Sequence, residues 1–244
     1  MFKTEGVVLR RRDLGEADRL LVLFTQRFGK VKAVAKGCRK PKSRLAGHLE
    51  PLNTAQFMLW RREGRDLALL RSADLTERHP VLTGDFRAFA AASAAAELID
   101  VSLSEDEPVP RLYALLSRFL RALKAPEHSS AALLAFMIRA ADILGYAMSI
   151  DHCANCRSRL AAVEAWLEYR LGGFLCPECS IGERRSGERV SREVIEAMKS
   201  ASADPPRAAA HPTAVHAIRI VDRLMSYHQD RRVLQAERLL EVAA

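Results

Sequence analysis

The sequence predicts an α+β chain with two domains, and three observations carry this prediction. Short apolar runs separated by turns fill residues 1–80, apolar residues recur at helical spacing after residue 80, and two cysteine pairs lie in a late segment that follows neither pattern. We therefore predict a β domain at 1–80 and a helical domain at 81–244, with an inserted minidomain at 150–185.

Five predicted strands organise the first domain. The stretch Leu20–Thr25 is continuously apolar, which indicates a strand buried on both faces, and Glu63–Asp66 is a good hairpin turn. Five strands with little helix between them suggest a closed sheet, and the five-stranded OB-fold barrel is the most economical candidate because closure removes exposed edges. The strands are Lys3–Arg12, Leu20–Thr25, Lys30–Lys36, Ala55–Arg62 and Leu67–Ser72.

Helical spacing dominates the second domain. The segment Arg111–Lys124 is amphipathic, whereas Ala131–Ala147 is apolar almost all round and is expected at the centre of a helix bundle. An acidic, proline-bounded segment, Ser102–Pro110, is expected to be a linker loop. No membrane helix or signal peptide is expected, and we expect a cytoplasmic protein. The predicted helices are Asp85–Asp100, Arg111–Lys124, Ala131–Ala147, Ser191–Ser200 and His211–Asp230.

The positive charge is concentrated in the first domain. The chain of 244 residues has a net charge of +8, and residues 1–80 hold 18 basic and 9 acidic residues while the remainder holds 20 and 21. This asymmetry indicates that one domain faces a polyanion. Nucleic acid and an anionic membrane surface both fit, and a merely soluble basic surface is the simpler alternative.

The densest basic segment runs from Arg27 to Arg44 and contains no acidic residue. Strand alternation places its first three lysines on one face, with Val31, Ala33 and Ala35 pointing into the barrel. A row of ammonium groups beside a flexible cationic loop suits a phosphate backbone, although a solvated charge run is the alternative. The predicted phosphate contacts are Lys30, Lys32, Lys36, Arg39, Lys40, Lys42 and Arg44, with Arg10, Arg11, Arg12, Arg61 and Arg62 as secondary candidates.

One aromatic residue is a candidate for stacking on bases. Trp60 shares a strand face with Gln56, Met58 and Arg62. The same face could instead be covered by the helical domain, and the sequence favours neither reading. Because nothing resembles a base-reading motif, any nucleic-acid binding should tolerate all sequences.

The cysteines predict a metal site. Cys153 and Cys156 form one CxxC pair, Cys176 and Cys179 form a second, and 19 residues separate the pairs. This spacing is typical of a four-thiolate zinc site, which has no open position for substrate and is therefore structural. A redox pair or two disulfides fit the duplicated spacing less well. The isolated Cys38 is expected to be a buried or half-buried thiol, with cations nearby that could lower its pKa.

Signatures of enzymes are absent from the sequence. It contains no phosphate-binding loop of the GxxxxGK[ST] type, no GxGxxG, no HExxH and no GxSxG. We therefore expect that the chain is not an enzyme and has no catalytic residue.

Taken together, these residues resemble the RecO family of bacterial recombination mediators. The resemblance rests on Gly6–Leu9, Gly15–Leu20, Phe24-Thr25, Gly29, Lys36-Gly37, Lys42-Ser43 and, in the insert, on both cysteine pairs and Gly172–Leu175. It implies an OB-fold domain, a helical domain, one structural Zn²⁺, and binding and annealing of single- and double-stranded DNA. It also implies partnership with RecR and single-stranded-DNA-binding protein in loading RecA, and association with the nucleoid when bound to DNA. The alternatives are an adaptor that docks acidic protein tails and an RNA-binding zinc protein.

Overall fold

The computed structural model describes residues 1–123, 128–160, 164–181, 186–203 and 211–230. The chain forms two compact units. The barrel unit comprises Met1–Gly84 and Ala96–Arg121, and the helical unit comprises Asp85–Ala95 and Ala122–Ala244. The helix that runs through residues 85–102 thus contributes to both units. The predicted division into domains 1–80 and 81–244 differs from these units, because residues 96–121 belong to the barrel unit although they follow residue 80. The domain division therefore stays a prediction.

A closed five-stranded barrel, in the order β1-β2-β3-β5-β4, confirms the predicted OB-like architecture. Its strands are β1 (Phe2–Leu14), β2 (Asp18–Thr25), β3 (Gly29–Ala35), β4 (Thr54–Trp60) and β5 (Ala68–Glu77). The long β1 pairs with β4 through residues 2–7 and with β2 through residues 6–14, and a register shift after Val8 bends it between its two partners. Alternating residues such as Leu21, Leu23, Phe57 and Leu59 fill the core.

Burial of β2 on both faces is confirmed. Leu21 and Leu23 lie inside the barrel, while the ring of Phe24 lies on the other face, 5.6 Å from the ring of Tyr113. Tyr113 belongs to α3 (Pro110–Ala122), and its hydroxyl donates a hydrogen bond to Glu5 at 3.0 Å. The amphipathic helix therefore covers the outer surface of β2, which explains why that strand is continuously apolar.

Along β3, the barrel is completed by a segment distant in sequence. The pairing of β3 with β5 is parallel and consists of Ala33–Ala68 and Val34–Leu69. Nearer its start, β3 bonds instead to the segment after α2 (Phe86–Ser102): the amide of Asp106 donates to the carbonyl of Lys30 at 2.9 Å. A Cβ at Gly29 would lie 2.1 Å from a backbone oxygen of this segment, so only glycine fits there. The segment is irregular, as predicted, but it packs on the barrel and is more than a linker.

Three helices pack on one another in the helical unit: α4 (Ser129–Ile143), α5 (Arg192–Ser202) and α6 (His211–Gln229). Each follows a predicted helix, and Met137, Met198 and Met225 are among their buried residues. A short helix, α1 (Val81–Gly84), was not predicted. Lys124, the predicted end of an earlier helix, lies outside the described residues. None of the helices within the described ranges has both the length and the apolar character that a membrane span requires.

The insert contains a small sheet with strand order β7-β6-β8. Its strands are β6 (Ala165–Glu168), β7 (Gly173–Leu175) and β8 (Glu188–Val190). Trp166 pairs with Leu175 and Leu167 pairs with Phe174, so a hairpin lies between the two cysteine pairs. Residues 182–185, the predicted end of the insert, lie outside the described part of the chain.

Candidate nucleic-acid interface and metal centre

One outer face of the barrel gathers cations around an aromatic ring. Val34 pairs with Leu69, and Leu69 pairs with Trp60, so these three side chains form a row across β3, β5 and β4. Lys32 precedes Val34 by two residues and shares its face, and Lys36 follows directly after β3. The parallel contact between β3 and β5 therefore brings the predicted lysines and the predicted stacking residue onto one surface.

Trp60 is partly exposed and has a cationic neighbour. Trp60 is 41% exposed. The guanidinium of Arg71 lies 5.8 Å from the centroid of the Trp60 ring. Sequence reasoning did not select Arg71. Alternation along Leu67–Ser72 would have placed Arg71 on the outer face, and the predicted hairpin turn at Glu63–Asp66 pairs its strand with the strand of Trp60, so the sequence contained the signal for this contact.

The loop after β3, which we call the basic loop (Lys36–Arg44), presents cations to solvent. Its first part is fixed: the amide of Gly37 donates to Asp18 at 2.7 Å, and the amide of Arg39 donates to the carbonyl of Ala17 at 2.9 Å. The guanidinium of Arg39 also lies 3.3 Å from Asp13. The remaining basic residues of the loop are exposed and form no ion pair with any residue that the structure describes; they are Lys36, Lys40, Lys42 and Arg44.

Lys30 does not belong to the exposed row. The residue is 8% exposed, and its ammonium donates to the backbone carbonyl of Asp100 and lies 3.4 Å from the Asp100 carboxylate. The prediction that Lys30 contacts phosphate is therefore wrong for this structure, because the end of α2 covers its side chain. The predicted inward positions of Val31, Ala33 and Ala35 are confirmed.

Three acidic residues, which we call the acidic strap (Asp100, Glu105 and Asp106), neutralise part of the predicted surface. Glu105 forms an ion pair with Lys32, and Asp106 accepts two hydrogen bonds from Arg61 at 2.7 and 2.8 Å. Besides Lys30, Asp100 pairs with Arg10 at 3.1 Å, and most of the Arg10 side chain stays exposed. Residues 27–44 contain no acidic residue, but acidic residues about seventy positions later in the sequence neutralise two of their lysines.

The other secondary candidates lie apart from the strap. Arg11 forms an ion pair with Glu50. Arg12 and Arg62 are exposed and, among the described residues, have no ion-pair partner. These side chains remain candidates for phosphate contact.

The four predicted thiols come together. The sulfur atoms of Cys153, Cys156, Cys176 and Cys179 all lie within 4.8 Å of one another, and those of Cys156 and Cys176 are 3.7 Å apart. Bonds of about 2.3 Å to one tetrahedral ion would separate the sulfurs by about 3.8 Å. The cluster therefore fits one metal ion held by four thiolates, with no coordination position left for substrate.

Hydrogen-bond donors surround these sulfurs. The amide of Cys176 donates to the sulfur of Cys153 at 3.4 Å, and the side-chain amide of Asn155 donates to that of Cys179 at 3.3 Å. The hydroxyl of Ser158, 3.1 Å from the sulfur of Cys156, lowers the pKa of that thiol to about 6. Donors of this kind stabilise the thiolate form that a metal ion requires. At Cys179 the Asn155 donor acts in the same direction, but the neighbouring thiols outweigh it and raise the pKa of Cys179 to about 11.

A polar network attaches the insert to α6. Arg223 donates two hydrogen bonds to the carboxylate of Glu188 in β8, at 2.9 and 2.7 Å, and the hydroxyl of Tyr169 donates to the same carboxylate. Burial and the nearby carboxylate raise the pKa of Tyr169 to about 12. A Cβ at Gly173 would lie 2.7 Å from Ser149, so a side chain is excluded where the sheet meets the preceding segment. These contacts hold the cysteine cluster on the helical unit.

Cys38 lies in the barrel core and is fully buried. Burial raises the pKa of its thiol, and this outweighs the opposing effect of Arg19. The expectation of a buried thiol is confirmed. The neighbouring cations do act to lower the pKa of Cys38, but burial outweighs them and the net shift is upward.

Comparison with known proteins gives matches along most of the chain. The family model "Recombination protein O N terminal" matches residues 1–79, and "Recombination protein O C terminal" matches residues 83–235. The chain is 38% identical over 177 residues to a DNA repair protein RecO of Geobacter metallireducens, covering 72% of each chain. It is 37% identical over 182 residues to that of Frankia casuarinae, covering 73% of each. It is 32% identical over 243 residues to that of Anaeromyxobacter dehalogenans, covering 98% of this chain and 95% of the relative.

Proposed function

The chain belongs to the RecO family of DNA repair proteins, and from this premise we propose that its barrel binds single- and double-stranded DNA without reading bases and anneals complementary strands. The observation that carries the proposal is the basic loop, in which four exposed cations have no ion-pair partner in the described structure: Lys36, Lys40, Lys42 and Arg44. The first of them, Lys36, directly follows β3, whose outer face pairs through Leu69 with Trp60. Unpartnered cations beside an exposed aromatic ring suit a phosphate backbone with unstacked bases.

Annealing on such a surface needs no bond chemistry. Two strands repel each other through their phosphates, and fixed Lys and Arg side chains reduce that repulsion and raise the local concentration of both strands. Base pairing between the strands then supplies the specificity. In this mechanism the basic loop holds phosphates while Trp60 stacks on a base. The protein then needs neither an enzyme active site nor a bound nucleotide.

The metal in this proposal is one Zn²⁺ held by Cys153, Cys156, Cys176 and Cys179. A closed set of four thiolates gives zinc a structural role, in which the free energy of metal binding stabilises an insert too small to bury its own core. The donors around the sulfurs and the tetrahedral spacing support this assignment.

Family membership also supports a place in recombinational repair. We propose that the chain acts with RecR to load RecA onto DNA coated by single-stranded-DNA-binding protein, in the bacterial cytoplasm and at the nucleoid when DNA is bound. The polypeptide carries no motif for a nucleotide or for catalysis, so any dependence on ATP comes from its partners.

A salt titration of oligonucleotide binding tests the proposal. We compare the wild-type chain with a variant in which Lys36, Lys40, Lys42 and Arg44 are changed to Gln, using fluorescence anisotropy of labelled single strands. Losing four phosphate contacts should reduce the slope of log K against log salt by about 3. A matched variant removes four exposed charges outside the barrel strands and should leave the slope unchanged; it changes Arg111, Arg118, Arg159 and Arg170 to Gln. An equal slope in all three chains would refute the assignment of the loop.

Four further measurements separate the alternatives. A strand-annealing assay across salt tests the mediator activity directly. Competition between an acidic peptide and the oligonucleotide tests the adaptor that docks acidic tails, since the same unpaired cations would hold carboxylates. Comparison of RNA with DNA of the same sequence tests the RNA-binding alternative, and turnover of labelled oligonucleotide with added divalent metal would contradict the expectation that the chain is not an enzyme.

A further inference from the structure

We propose that the acidic strap (Asp100, Glu105 and Asp106) is a built-in competitor of DNA, which occupies part of the barrel's phosphate-binding surface and is displaced when a strand binds. This inference rests on the proposed function and adds a regulation of the same site. The strap reaches four of the basic residues selected from sequence: Arg10, Lys30, Lys32 and Arg61.

The strap presents carboxylates to cations that the proposed function assigns to phosphate. It runs beside β3, where Lys30 and Glu105 form a parallel bridge and the amide of Asp106 bonds to the carbonyl of Lys30. Peptide segments that add to an open sheet edge bind through backbone contacts of this kind. Its carboxylates then meet cations as phosphates would, with Asp106 accepting two bonds from the Arg61 guanidinium.

The strap has a fixed half and a releasable half. At the fixed end, the Asp100 side chain is 18% exposed and pairs with Lys30, whose side chain is 10% exposed. At the other end, the side chains of Lys32 and Glu105 are 43% and 31% exposed, and those of Arg61 and Asp106 are 24% and 42% exposed, so both pairs are more exposed than the pair at the fixed end. Exposed ion pairs contribute little free energy and weaken in salt, whereas breaking a buried pair is costly. DNA would therefore displace the contacts of Glu105 and Asp106 while Asp100 keeps the strap attached.

Releasing the strap makes two further cations available to DNA. Lys32 lies on the same face as Trp60 and Lys36, and Arg61 follows directly after Trp60. A strand that already occupies the basic loop would gain these contacts by pushing the strap aside. The strap thereby weakens binding of short or weakly bound polyanions more than binding of a strand that spans the whole face.

The first test removes the releasable charges. In Glu105→Gln with Asp106→Asn the shapes are kept, and Asn accepts the left-handed backbone of residue 106, whose φ is 58°. We expect this variant to bind labelled oligo(dT) about three- to tenfold more tightly at low salt, as two exposed ion pairs no longer compete. The gain should shrink as salt rises, because salt also screens the strap's own ion pairs.

A matched control removes two exposed acids of the helical unit, Asp142→Asn with Glu164→Gln, and gives the same change in net charge. If the control gains as much affinity as the strap variant, general charge explains the result and the strap inference is overturned. If neither variant differs from a wild-type chain that binds DNA, the proposed function stands and the strap inference is also overturned. If no chain binds oligo(dT), the proposed function fails and the strap's role fails with it.

A second test uses the wild-type protein and so does not depend on the folding of a variant. Hydrogen exchange of peptides covering residues 103–108 reports the amide of Asp106, which is bonded to Lys30 in the free protein. Displacement predicts faster exchange in this segment when oligo(dT) is added, whereas simple coverage by DNA predicts slower exchange. Unchanged or slower exchange at saturating DNA would overturn the inference.

Discussion

The guanidinium of Arg71 lies 5.8 Å from the ring centroid of Trp60, although the two residues belong to different strands and flank a hairpin turn. A cation beside the ring leaves an amphipathic platform in which the aromatic surface can stack on a base and the charge can meet a phosphate. The platform lies on the same barrel face as Lys36 and so links the stacking residue to the basic loop.

Replacing Trp60 with Ala should therefore weaken binding of single-stranded DNA by about 1 to 3 kcal/mol through loss of stacking. Because stacking releases no counterions, the salt slope should stay close to that of the wild-type chain. Anisotropy titrations measure both quantities. Trp60→Phe, which keeps an aromatic face, should recover most of the affinity, and equal affinity of Trp60→Ala and wild type would contradict a stacking role.

Changing Lys30 should affect stability more than DNA binding. Asp100→Ala would leave the covered ammonium of Lys30 without its carboxylate, and we expect a loss of about 2 to 4 kcal/mol in the free energy of unfolding. Urea denaturation measures this loss. The paired change Lys30→Met with Asp100→Leu should be less destabilising than Asp100→Ala, and the folded double variant should not bind DNA more weakly than the wild type. A specific loss of affinity would restore Lys30 as a phosphate contact.

Metal content should depend on each of the four clustered cysteines. Purified protein is expected to carry one zinc per chain by elemental analysis, and Cys176→Ser should lose it and loosen the sheet of the insert, because one thiolate of a closed site is missing. Cys38→Ala is the matched control, since the fifth cysteine lies in the barrel core. Retention of stoichiometric zinc by Cys176→Ser would exclude the proposed ligand set.

The thiol of Cys38 should be inert in the folded protein. Burial raises its pKa, so at any given pH less thiolate is present than in the unfolded chain, and the folded state favours the protonated form. This contribution to stability is present below the ordinary pKa of a thiol and is lost as the pH rises through the raised value. Alkylation by iodoacetamide at about pH 8, followed by mass spectrometry, should modify Cys38 only after denaturant is added. Rapid modification of the native protein would contradict this.

Local patterns in the sequence predicted the elements well. Alternation placed Val31, Ala33 and Ala35 inside the barrel, and the continuous apolar run of β2 predicted burial on both faces. The cysteine spacing predicted the metal cluster because two tight turns joined by a hairpin bring the sulfurs together in any chain that folds locally. In each case the determinants lie close together in the sequence.

Long-range pairing could not be read in the same way. Nothing near Lys30 in the sequence indicates Asp100 as its partner, and nothing near Trp60 indicates that β5 and β3 pair in parallel and bring Lys36 to the same face. Counting charged residues within residues 27–44 therefore overestimated the number of unpaired cations in β3, since Lys30 and Lys32 both form ion pairs. It identified correctly the exposed cations of the basic loop, together with Arg12 and Arg62.

The packing of residues 100–107 along β3 has a consequence for where this protein can be cut. A chain truncated at residue 80 would keep all five strands but leave the start of β3 as an open edge, with the ammonium of Lys30 facing no carboxylate. Open strand edges invite aggregation. A fragment extended to the end of α3 would keep that edge capped, so the smallest autonomous piece of the barrel includes helix-forming sequence far beyond its last strand.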